Sequence, residues 1–268
     1  MDLFWGMKTP GPGVAPDEPR KKGLRRFWEL LLRDGKSYLL ANLICLLAFT
    51  PAVVLVGFGV AGGSMAFAAG SGALLGIPAG IALCGVYDTV LRTLRDEAGF
   101  WWHTYRRALV QHLRLAVPLG ALFGATVAMI VFTLYWQLRT DPQGGALGWL
   151  GPAGYGALAC LLFASMLPQA VLLDVSFVQL LKNSLFFVMG RLPRVAAAAA
   201  VSLAYWAATV AWFPYSTLFL PLLGFWFTAL IGCMLVWPAL DEIYQVEKTL
   251  QQRRQQAPES PKTPEPPC

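Results

Sequence analysis

Charge is scarce in this chain of 268 residues, where Asp, Glu, Lys and Arg together make up only 13%. A soluble domain carries about a quarter of its residues as charges. Histidine occurs twice, at His103 and His112, with no HExxH or similar spacing between them. There is no Gly-x-Ser-x-Gly elbow, no phosphate-cradling loop and no strand-led dinucleotide fingerprint. Ionisable residues are nearly missing from the apolar stretches, so no proton relay or coupling-ion site is legible. Cysteine is sparse and unpatterned. Cys45, Cys84, Cys160 and Cys233 lie in apolar stretches, Cys268 ends the chain, and no CxxC occurs. They read as small packing residues. These absences argue against a soluble single-core protein, a disulfide scaffold and a metal or cofactor enzyme. No cofactor and no catalytic residue is expected.

What the chain has is hydrophobicity, at 56% of its residues. A spanning helix needs about 20 mostly apolar residues. Six stretches qualify: Tyr38–Val60, Met65–Val90, Leu115–Trp136, Gly154–Leu173, Val195–Phe213 and Thr217–Leu240. The expected fold is therefore all-α, a polytopic membrane bundle of about six spans. Three parts follow: a segment 1–36, a membrane domain 37–240 and a tail 241–268. The tail is helix-prone over Asp241–Gln256 and then Pro-rich. Gly11–Pro19 reads as an extended connector. Residues 1–36 hold no apolar core followed by a small-residue cleavage site, so the first span is expected to act as the insertion signal.

Placing these spans sorts the basic residues. Twenty of the 21 Lys and Arg fall on one side, with only Arg139 on the other. The positive-inside rule makes that side, and both chain ends, cytoplasmic. The net charge of +6 is thus a topology signal. Basic residues shared among several loops do not make the single basic face that nucleic acid requires.

Three cytoplasmic segments read as amphipathic helices lying in the membrane plane. In the first, Leu24, Phe27, Trp28, Leu31 and Leu32 form an apolar stripe, with Arg25, Arg26, Glu29 and Arg33 opposite. The second covers Phe100–Arg114, with Trp101, Trp102, Tyr105 and Leu109 on one side and His103, Arg106 and Arg107 away from it. The third covers Ser176–Met189 and stops at Gly190. Phe27, Trp28, Trp101, Trp102, Arg106 and Arg107 are the candidates for a partner or lipid interface, because aromatics and Arg carry interface energy and also suit the lipid headgroup region.

Within the spans, Ser64, Ala68, Gly72, Gly76, Gly80 and Cys84 recur every four residues. Small residues at that spacing let helices approach closely, so Gly72, Gly76 and Gly80 are expected at a packing interface. The deeper or boundary polar groups are Asn42, Asp88, Gln169, Asp174 and Asn183. Asp88 is spaced to pair with Arg92. Gln169, after Pro168, is placed to bond a carbonyl freed by the proline. Ser176 or Asp174 is placed to cap the following helix.

Four blocks resemble the YesL-like family of bacterial membrane proteins, a domain of unknown function. They are KTPGPGVAPDEPRKK at Lys8–Lys22, ANLICLLAFTPAVVL at Ala41–Leu55, LLDVSFVQLLKNSLFFVMG at Leu172–Gly190, and WPALDEIY near residue 240. The order and spacing of the blocks carry the resemblance. Gly99 and Ala108 depart from it, standing near positions where the family has Asp and Asn. The resemblance implies a bacterial cytoplasmic membrane and an accessory or regulatory role beside carbohydrate transport, with ABC-transporter subunits as partners. The six spans and the recurring prolines leave a small transporter, working as a homo-oligomer, as the alternative.

Overall fold

A computed structural model describes residues 23–97, 100–140 and 146–245. The Lys8–Lys22 block, the Gly11–Pro19 connector and the tail beyond residue 245 lie outside the described residues. Nine α-helices occur in the described part: α1 Leu24–Ala61, α2 Met65–Leu94, α3 Trp101–Gln111, α4 Leu113–Thr140, α5 Ala146–Leu172, α6 Phe177–Gly190, α7 Leu192–Ala211, α8 Leu220–Leu223 and α9 Phe225–Tyr244. A 3-10 turn, Tyr215–Leu218, precedes α8. Six helical stretches are long and apolar enough to cross a membrane, so the chain is an all-α, multi-pass membrane protein. At 11 and 14 residues, α3 and α6 are too short to cross at 1.5 Å per residue.

The expected break between an N-terminal surface helix and the first span does not exist. Leu24–Ala61 is one helix of 38 residues. It is not straight. Phe27 meets Phe227 edge-on at 6.3 Å, Tyr38 stacks on Trp226 at 5.3 Å, and Phe49 stacks on Phe225 at 4.5 Å. A straight helix would hold the Cα atoms of Phe27 and Phe49 about 33 Å apart. Three adjacent rings at the head of α9 cannot bridge that, so α1 bends around them. Gly35 is the one glycine between Phe27 and Phe49.

The expected sixth span, Thr217–Leu240, is likewise not one helix. It breaks at Gly224, which has φ −54° and ψ −123°. A Cβ there would meet the Asn42 Oδ1 at 2.5 Å and the Leu220 carbonyl oxygen at 2.6 Å, so glycine alone fits. At the far end of α9, Gln245 takes a left-handed conformation and ends the helix after Tyr244. Of the helix expected over Asp241–Gln256, residues 241–244 continue the last span, and those beyond 245 lie outside the described residues.

Central in the bundle is α2, packed along α4 and α1 and crossed by α3 and α9. Its glycines set the closest approach. A Cβ on Gly72 would lie 2.6 Å from the Gly124 carbonyl oxygen, and one on Gly76 would lie 2.9 Å from the Gly124 Cα. On Gly80 it would lie 3.0 Å from the Ala116 carbonyl oxygen and closer still to Gly120. Backbone thus meets backbone, and dispersion contacts that larger residues would forbid hold α2 to α4. The facing residues Ala116, Gly120, Gly124 and Ala128 also recur every four positions. Cys45, Cys84 and Cys233 are buried in the same core as free thiols.

Candidate functional site

The arginine-rich end of the bundle holds most of the charged side chains. Here α1 and α2 are joined by Asp96, which follows α2 with φ +54°. Its Oδ2 accepts a 2.6 Å bond from Arg26 Nη2, and its Oδ1 accepts a 2.6 Å bond from Arg33 Nη1. Arg33 Nη2 also donates to the Thr93 carbonyl at 3.0 Å. Burial pushes the Asp96 carboxyl up, but the bonds from Arg33 and Arg26 outweigh it and hold it below its ordinary value.

The polar face expected on α1 is therefore corrected. Arg26 does not point into water; it is 6% exposed and turned onto Asp96. The apolar stripe also divides. Leu30 is buried and Phe27 and Leu31 pack on the core, whereas Leu24, Trp28 and Leu32 stand exposed. Phe27 is thus a packing residue, and Trp28 touches it edge-on at 5.8 Å from the outer side.

Beside this joint runs a second polar group. Asp88 is 3% exposed and bonds Arg92 Nε at 2.7 Å, one turn along α2. Arg92 and Arg95 converge on Glu97 at 3.3 and 3.2 Å. His112 Nε2 lies 4.0 Å from Asp88 Oδ1. Burial holds the imidazole below its ordinary value despite that carboxylate. Among the described residues, no group of three or more His, Cys, Asp or Glu is arranged to hold a metal ion.

α3 lies across the same part of α2. Trp101 is buried, stacks on Tyr105 at 5.1 Å and donates from Nε1 to the Thr89 hydroxyl at 3.4 Å. Tyr105 fits against Gly85, where a Cβ would come within 2.6 Å of its ring. Trp101 is thus a core anchor and not an interface residue, which corrects its expected pairing with Trp102. Trp102, Arg106 and Arg107 are exposed on the other face, together with Val110. The reason is helical spacing: Trp101, Tyr105 and Ala108 make a narrow buried stripe, and Trp102 falls 100° away from it. Ala108 itself is 1% exposed.

Within the apolar bundle, Asn42 is fully buried and closes the break in the last span. Its Nδ2 donates to the carbonyls of Leu220 and Pro221, both at 2.9 Å, and its Oδ1 accepts from the Phe225 N–H at 2.8 Å. Tyr205 donates to the Leu223 carbonyl at 2.7 Å, and Trp226 donates to that of Leu222 at 2.7 Å. Side chains of α1, α7 and α9 thus satisfy a backbone that a membrane interior would leave unbonded.

The remaining polar candidates are scattered. Gln169 is fully buried; its Oε1 accepts from Tyr244 at 3.2 Å, and it does not bond a carbonyl freed by Pro168. Asp174 is exposed and does not cap α6. That cap is Ser176 with Gln179, in a reciprocal capping box. Asn183 is half-buried on α6. Arg191, between α6 and α7, is bonded to Glu242 near the end of α9.

Several structural residues are absent from the expected set. Gly120 and Gly124 carry a four-residue spacing as regular as that of α2, so their signal is present in the chain. Asp96, Gly224 and Tyr205 carry none, because each acts through a partner far away in sequence. Chemically, the exposed ring and guanidinium groups of α3 suit a flat, apolar or anionic partner. The buried ion pairs suit fixing α1, α2 and α3 in one arrangement.

No family model, no curated protein and no solved structure matches this chain.

Proposed function

We propose that this chain is a non-catalytic accessory component of a bacterial cytoplasmic membrane, with both ends inside, that holds a partner on its arginine-rich face. The observation that carries the reading is the division of α3. One face, Trp101, Tyr105 and Ala108, is locked into the core, and the other exposes Trp102, Arg106 and Arg107. A helix held rigidly on one side presents these large groups at little cost in conformational entropy. The Arg26–Asp96–Arg33 joint supports the same reading, since it fixes Trp28 on α1 relative to the end of α2. The resemblance to the YesL-like family makes carbohydrate ABC-transporter subunits the partner to test first.

A small homo-oligomeric transporter is the second reading, and the interrupted last span favours it, since broken helices line many transport sites. Against it, the backbone groups freed around Gly224 are already bonded to Asn42, Tyr205 and Trp226 and so are not free to bind a substrate.

The deciding experiment is purification from native membranes in mild detergent. Stoichiometric recovery of transporter subunits supports the accessory reading. A homo-oligomer that moves a sugar in proteoliposomes rejects it. Orientation is tested by reporters fused after Gly145 and after Gln256. The reading requires the first outside and the second inside.

A further inference from the structure

The connection from α7 to α9 runs over 212–224, at the other end of these two helices from the Arg191–Glu242 pair. Between Arg194 and Asp241 the chain has no charged residue and no histidine. An ordinary aqueous loop is rich in Asn, Asp and Gly, but 212–224 contains one Gly and neither of the others. Its large apolar side chains are turned outward. Trp212, Phe213, Tyr215, Leu218, Phe219 and Leu222 are between 56% and 78% exposed.

Its backbone is the second observation. The stretch is irregular, running from a turn through a 3-10 turn and four residues of α8 to the break at Gly224. In water its carbonyls would need no protein donor. Here side chains supply donors along its length. Ser216 Oγ donates to the Thr209 carbonyl at 2.6 Å and Thr217 Oγ1 to that of Pro214 at 2.6 Å. The carbonyls of residues 220 to 223 are taken by Asn42, Trp226 and Tyr205. Main-chain bonds satisfy the N–H groups of residues 212, 213, 216, 217, 219 and 222 to 224. Irregular backbone survives at membrane depth only when its polar groups are bonded internally.

We infer that the α7–α9 connection is embedded in the bilayer and presents its aromatic ridge to lipid, not to water. Outward apolar side chains and a backbone bonded within the protein favour immersion, and along this stretch most of the backbone groups are so bonded. Lipid is the occupant because the ridge carries no charged group and spans a charge-free hairpin. Trp212 and Tyr215 set its depth near the headgroup boundary, where amphipathic rings reside.

The test uses single spin labels at Tyr215→Cys and Leu218→Cys, in a Cys160→Ser, Cys268→Ser background, reconstituted into phosphatidylcholine–phosphatidylglycerol vesicles. Cys45, Cys84 and Cys233 are buried and stay unlabelled. Thr140→Cys, exposed at the last residue of α4, is the aqueous control. Tyr215 and Leu218 are 75% and 78% exposed, so the labels displace no packing. Immersion predicts that oxygen relaxes both labels several-fold more than a water-soluble nickel chelate does, with the order reversed at position 140. Nickel access equal to that of the control would overturn the inference. Low access to both reagents would also overturn it, by placing a second copy or another protein over the ridge.

Discussion

The Asn42 side-chain oxygen accepts a 2.8 Å hydrogen bond from the Phe225 N–H, 183 residues away, and so caps the first turn of the last span. The same amide donates to the carbonyls of Leu220 and Pro221 at 2.9 Å. One side chain thus serves both sides of a break in a membrane helix. Asn42→Leu keeps the volume and removes all three bonds. A buried group left unbonded costs about 1–3 kcal/mol, so the variant is predicted to lose about 3 kcal/mol or more. Asn42→Asp keeps the acceptor but sets an oxygen against two carbonyls, and is predicted to melt lower still. Thermal unfolding in detergent measures both. Melting equal to the unaltered chain would remove Asn42 from this role.

Asp96 gives a pH dependence of defined sign. Its folded value lies below the ordinary 3.8, because the Arg33 and Arg26 bonds outweigh the opposing effect of burial. A carboxylate depressed on folding contributes stability that is fully present above its ordinary value and is lost as pH falls through the folded one. Melting is therefore predicted to be flat from about pH 7 to pH 5 in this respect and to fall below about pH 4. Asp96→Asn is predicted to melt lower at pH 7 and to show a shallower fall in acid. An Asp96→Asn curve superimposed on that of the unaltered chain across the range would show that the joint contributes nothing.

The α2–α4 crossing predicts a contrast among glycines. Gly76→Leu and Gly124→Leu each push a side chain into opposing backbone, at a site where even a Cβ does not fit. Both are predicted to destabilise by about 3 kcal/mol or more, at or beyond the usual range for overpacking. Gly70, on the same helix, has nothing within 4 Å of a Cβ. Gly70→Leu is predicted to melt normally and elute as a single species. Equal tolerance at all three positions would put the small-residue stripe against lipid.

Much of this architecture was legible in the chain because lipid imposes simple rules. Runs of about 20 apolar residues and the one-sided distribution of Arg and Lys locate the spans without tertiary information. The Asp88–Arg92 pair and the Ser176 cap were legible because both are local. What escaped depends on distant residues. The continuity of α1 through Gly35 and Lys36 was hidden because a polar stretch can end a helix or merely leave the membrane. The break at Gly224 was hidden because its surroundings are apolar throughout, and only Asn42, from the first span, makes it tenable. The burial of Arg26 and Trp101 was hidden for the same reason: each has one partner, Asp96 or Thr89, that fixes its direction.

Trp101 and Trp102 are neighbours with opposite predicted roles. Trp101→Ala removes a buried ring from the core and is predicted to cost about 3–5 kcal/mol of stability. Trp102→Ala truncates an exposed ring and is predicted to leave melting within about 0.5 kcal/mol of the unaltered chain.

The accessory reading is tested most directly by partner recovery from native membranes with Trp102→Ala and Arg107→Ala combined in one chain. The account predicts normal insertion, normal melting and a loss of at least about tenfold in recovered partner, the size expected when interface anchors are removed. Unchanged recovery of the same partner from a stably inserted double variant would contradict it, and would leave this face of α3 as an anchor to lipid.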